Sequence, residues 1–123
     1  MANKITAINT YRPRIDKGKT VQQDEFVSYL ASRTGLNEGE ISIVLAESRD
    51  AIVFYNKAGR GVKLEGLGIY APKIGLDGEI GVSHRLDKRI KNALNAPGAF
   101  NGDIIHRENI GKTSDELIAL WNA

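Results

Sequence analysis

The chain has no cysteine, which excludes disulfides, thiolate metal sites and a cysteine nucleophile. Proline is scarce, with three in 123 residues, at Pro13, Pro72 and Pro97. No apolar run approaches the roughly 20 residues that a membrane span needs. The opening stretch MANKITAINTYRPRID contains no apolar block of the signal-peptide kind, so a cytoplasmic protein is expected. Excess charge is also missing: the net value is +2, and bulk charge does not announce a nucleic-acid binder. What remains is ordinary for a soluble domain, 41% hydrophobic and 26% charged, in a chain long enough for one domain with a small core.

The distribution of charge is more informative than its sum. Residues 22–56 carry Asp24, Glu25, Glu38, Glu40, Glu47 and Asp50 against Arg33 and Arg49. Residues 84–91 carry Arg85, Lys88, Arg89 and Lys91 against Asp87, and residues 1–19 carry Lys4, Arg12, Arg14, Lys17 and Lys19 against Asp16. Positive charge therefore lies at the N-terminus and in the second half, a segregation that suits a polyanionic partner.

Residues 4–15 alternate weakly and predict a short strand, followed by a turn at 16–19; a disordered basic arm over 1–19 is the alternative. Thr20 with Gln23 has the form of a capping box, and Phe26, Val27, Leu30 and Ala31 then recur at helical spacing until Gly35. Asn37 and Glu40 repeat the capping logic for a second helix that Gly59 ends. Its apolar residues (Ile41, Val44, Leu45, Ile52 and Tyr55, widened by Ile43, Val53 and Phe54) cover too broad an arc for one neighbour. A second copy of the chain would cover the rest, so an intertwined homodimer is expected. Glu47 and Asp50 on that helix would repel phosphates, which argues against a helix-turn-helix recognition helix.

Val62–Tyr70, VKLEGLGIY, is the stretch around which the chain is organised. Val62 and Leu64 alternate with polar residues, Gly66 and Gly68 mark a sharp corner, and a strand resumes at Ile69. Asp77-Gly78 is a hairpin signal. A basic helix over 85–94, a last strand over 100–107 and a C-terminal helix capped by Thr113 and Glu116 follow.

This order resembles the HU/IHF family of bacterial DNA-binding proteins, in which a helical hairpin precedes a V-x-L-x-G-[FL]-G-x-[FY] strand pair. Val62, Leu64, Gly66, Leu67, Gly68 and Tyr70 stand on that pattern. The resemblance covers Thr20 to Tyr70 and resumes from Ile105 to Trp121, where Gly111-Lys112 matches the Gly-Lys that opens the family's last helix. It implies an α+β fold, a helical hairpin followed by a small antiparallel sheet and a C-terminal helix. It divides the chain into an N-terminal strand or arm over 1–19 and an HU-like domain over 20–123. The implied partners are double-stranded DNA and a second copy of the chain, with the nucleoid as location and no cofactor. The family's long basic arm carries a proline that wedges between base pairs. Here the hairpin is short, has acidic residues at its tip and has no proline between Pro72 and Pro97, so a proline-wedge kink is not expected. Phosphate contact by Lys73, Arg85, Lys88, Arg89, Lys91, Arg107 and Lys112 remains, giving salt-dependent binding largely indifferent to sequence. The rival reading is a dimerisation or scaffolding module that kept the fold and lost DNA binding.

Signals for catalysis fail their context tests. Gly66–Ala71 fits G-x-G-x-x-A, but Pro72 follows within a strand pattern where a helix should open. His84 and His106 have no nearby carboxylate cluster in the sequence, and no serine lies in a nucleophile elbow.

Overall fold

The computed structural model describes residues 2–122 and divides into two compact units, Val21–Phe100 and the paired chain ends Met1–Thr20 with Asn101–Ala123. The expected division at residue 19 is thus replaced: the first twenty residues fold with the C-terminal stretch.

In the unit of chain ends, the strand expected over 4–15 is mostly helix. Helix α1 (Ala2–Tyr11) packs its buried Ala7 side against helix α5 (Ser114–Asn122), whose Leu117 is buried. The three-residue spacing of Ile5, Ile8 and Tyr11 is helical, and it prevails over the weak alternation. Only β1 (Arg14–Asp16) is extended, beyond Pro13, and it pairs antiparallel with β5 (Asp103–Ile105). The last strand is therefore shorter than the expected 100–107. His106, with φ +59°, turns the chain out of it into a short 3-10 turn (Arg107–Asn109). Asn109 is 2% exposed, and its Nδ2 donates to the Tyr11 carbonyl at 2.6 Å, fastening the C-terminal stretch to the end of α1. Thr113 caps α5 as expected, its Oγ1 accepting the Glu116 N–H at 3.2 Å and donating to Glu116 Oε1 at 3.3 Å.

The second unit follows the expected plan. Helix α2 (Gln23–Thr34) ends at Gly35, whose φ of +78° and N–H bond to Ala31 make a left-handed cap. Its start differs from expectation: Thr20 lies outside the helix, and Gln22 occupies the cap without a side-chain bond. Asp24 and Glu25 in the first turn meet the helix dipole instead. Helix α3 (Glu38–Lys57) starts as expected, with Asn37 accepting the Glu40 N–H at 2.7 Å and donating to the Glu40 carboxylate.

Strands β2 (Val62–Leu64), β3 (Gly68–Ile74) and β4 (Ile80–Leu86) form an antiparallel sheet in that order. The hairpin tip is a five-residue loop over 75–79, not a two-residue turn. Gly75 N–H reaches Glu79 O, and Asp77 accepts the Glu79 N–H. Helix α4 (Lys88–Asn95) starts later than the expected 85–94, because Asp87 caps it by accepting the Arg89 N–H at 2.8 Å. Arg85 and Leu86 consequently belong to β4.

Candidate nucleic-acid interface

Side chains alternate across a strand, so the register sorts the sheet into two faces. Val62, Tyr70 and His84 share one row, and Pro72 with Val82 and Ile74 with Ile80 extend the same face. This inner face lies towards α3, where Leu45, Ile52 and Val53 meet Leu64, Leu67, Tyr70 and Val82 across an open cleft of about 520 Å³. The outer face carries Lys63 in register with Ile69 and Arg85, Ala71 with Ser83, and Lys73 with Gly81. The Lys73 stem lies across Gly81, where an added Cβ would stand 3.3 Å from its Cε. Lys63, Lys73 and Arg85 are exposed, and no acidic residue occupies an outer-face position of the three strands. The small residues Ala71, Gly81 and Ser83 leave this face low between its cations.

Gly68 holds the corner. Its φ is +152°, and an added Cβ would lie 2.4 Å from the Arg85 carbonyl oxygen and 2.8 Å from His84 Nε2. Leu67 O then accepts the Asp87 N–H at 3.0 Å, so the corner also positions the start of α4. Along α4, Lys88 and Lys91 with Asn92 and Asn95 share one helical arc, opposite Ile90 and Leu94.

The structure brings five of the seven sequence-derived cations into this unit: Lys73 and Arg85 on the sheet, Lys88, Arg89 and Lys91 on α4. Arg89 is engaged, with Nη2 2.8 Å from Glu65 Oε2 and Nε 3.7 Å from Asp87 Oδ1. Arg107 and Lys112 lie in the unit of chain ends, Arg107 opening the 3-10 turn and Lys112 following it. Lys63 was missed by sequence reading, although its place between Val62 and Leu64 marked it as facing away from the apolar side. His84 stacks on Tyr70 with ring centroids 4.4 Å apart. The backbone N–H of Glu108, and after it His106, whose Nδ1 lies 3.4 Å from Glu108 Oε1, hold that carboxylate below its usual range. No cluster of metal-ligating side chains occurs among the described residues. No helix among them is long and apolar enough to cross a membrane.

Residues 3–95 match the family model described as "HU domain fused to wHTH, Ig, or Glycine-rich motif". The chain belongs to the HU-HIG family. A solved structure of an HU point mutant from Thermotoga maritima aligns over 58% of this chain and 96% of its own, with a TM-score of 0.50 and 14% identity. At that identity the likeness concerns the fold, which is the expected HU-like α+β arrangement. No curated protein sequence matches the chain. The HU-HIG match ends with α4, which corrects the resemblance drawn over 105–121. The helix that follows the sheet in this unit is α4, behind Asp87-Lys88, whereas Gly111-Lys112 opens α5 in the other unit.

Proposed function

We propose that this HU-HIG protein is a non-catalytic, largely sequence-independent binder of double-stranded DNA, acting as a homodimer of the architectural, nucleoid-associated kind in the cytoplasm. The observation that carries the reading is the acid-free outer face of the sheet, with Lys63, Lys73 and Arg85 displayed on a rigid antiparallel frame. Lys88 and Lys91 extend the cationic set along α4. Segregation matters here because the Val21–Phe100 unit has ten basic and ten acidic side chains. Six of the acids lie on α2 and α3, away from the outer face. Cations fixed on strands and a short helix can meet phosphates in a shallow groove without reading base edges. Arg107 and Lys112 are candidate contacts of the other unit.

The dimer is supported by what the single chain leaves uncovered. Among the described residues, Val27 and Ile41 are the buried aliphatic side chains of the Val21–Phe100 unit. Phe54 is 69% exposed and Ile43 65%, and Val44, Val53 and Val82 are exposed as well. Apolar side chains exposed to this extent along one helix mark an association surface. A second copy of the same chain has the matching apolar surface.

The test is charge reversal on the outer face. Lys63→Glu with Arg85→Glu is expected to weaken duplex binding at least about tenfold, with dimer mass and helix content unchanged. The scaffold reading is favoured by the charge balance of the unit and by Asp77 and Glu79 at the hairpin tip. It predicts that the wild type ignores DNA and that the double variant changes nothing.

A further inference from the structure

The cations of this face differ in one respect that the sequence did not reveal. Among the described residues, Lys63, Lys73, Arg85, Lys88 and Lys91 have no ion-pair partner, whereas Arg89 lies between two carboxylates. Asp87 is the more buried of the two and has a structural task, capping α4 through the Arg89 N–H. Glu65 has none: it stands exposed in the turn between β2 and β3, and its one bond is the 2.8 Å contact with Arg89 Nη2. Its position in the turn is set by Gly66, which takes φ +80° so that Leu67 N–H can reach Leu64 O. The sequence thus aims one acid at one arginine of an otherwise unneutralised surface.

We propose that Glu65 sets the DNA affinity of this face by withholding Arg89 from phosphate. The inference rests on the DNA reading above and deepens it. A guanidinium fork that fits a carboxylate fits a phosphate in the same way, so the two compete for Arg89. The Glu65–Arg89 pair is exposed on both sides, and such pairs are weak, so the carboxylate holds Arg89 back from phosphate by only a small factor. Glu65 therefore tunes binding without blocking it. Removing its charge should tighten binding about two- to fivefold per chain. It should also add one phosphate contact per chain, two in the dimer, steepening the slope of log K against log salt by about 1.8.

The experiment is a double-variant cycle on the full chain: wild type, Glu65→Gln, Arg89→Gln and both together, each titrated with duplex DNA at several salt concentrations. The expected result is that Glu65→Gln gains affinity and slope, that Arg89→Gln alone changes either little, and that the double variant loses the gain. A gain that survives in the double variant would mean that Glu65 acts by simple repulsion of DNA, and would overturn the proposal. An unchanged slope in Glu65→Gln, or weaker binding because α4 has loosened, would overturn it as well. If wild-type protein ignores duplex DNA at every salt concentration, the DNA reading fails and takes this inference with it. If the wild type binds and the cycle shows no coupling, this inference fails alone.

Discussion

Gly68 is the residue on which the sheet depends most. Its positive φ and the 2.4 Å approach of the Arg85 carbonyl leave no room for a side chain. Gly68→Ala is expected to cost about 2–3 kcal/mol, seen as a lower urea midpoint. Gly78 also has a positive φ, +85°, but open space around it, so Gly78→Ala should cost only about 1 kcal/mol. Glu108 makes a second residue-scale prediction. Its carboxylate is held below the usual range by its own backbone N–H and by His106. A lowered folded-state pKa stabilises above the ordinary carboxylate pKa, and that contribution is lost as pH falls through the folded value. His106→Ala should move the Glu108 titration, followed by carboxyl NMR, back towards the ordinary range. The two glycines of the corner were legible in the sequence because φ > 0 has a residue signature. The Glu65–Arg89 pair was not, because 24 residues separate its members and only the register of three strands brings them together.

Elements were legible where their ends carried specific chemistry. Asn37 caps α3 through the Glu40 N–H, whereas Thr20, two residues before the α2 cap, bonds to nothing in the helix. Asn37→Ala should therefore cost about 1 kcal/mol, and Thr20→Ala almost nothing, in the same denaturation assay. Helix α1 was misread because its apolar residues are sparse, and the partner that selects the helical state, α5, lies a hundred residues away. The start of α4 was misplaced for a related reason. Leu86 fits the helical spacing of Ile90 and Leu94, but Asp87 captures the Arg89 N–H and lets β4 continue to Leu86. Lys63 stands alone in the sequence, whereas the basic residues of α4 form a cluster. Charge on a sheet face is assembled across strands, and a linear reading sees it one residue at a time.

At the scale of the whole molecule, the pairing of the two chain ends into one unit could not be read from periodicity. It depends on β1 meeting β5 and on Asn109 reaching Tyr11, contacts between residues almost as far apart as the chain allows. The uncovered apolar surface of α3, by contrast, was foreseen from its breadth. It makes a prediction of its own. Phe54→Asp places a charge on a surface that a second copy would bury, so the dimer dissociation constant should rise at least about 100-fold. Sedimentation would read this directly; a variant that keeps the wild-type mass at all concentrations would show that Phe54 is outside the interface. The outer sheet face and α4 are proposed to bind duplex DNA through phosphates. The measurement that tests this most directly is the salt dependence of duplex binding by the wild-type protein, followed by fluorescence anisotropy with the mass checked on the same sample. Five cations per chain, doubled in a dimer, predict that log K falls with log salt at a slope of about −5 to −9. A slope near zero, or no binding at low salt, would contradict the claim.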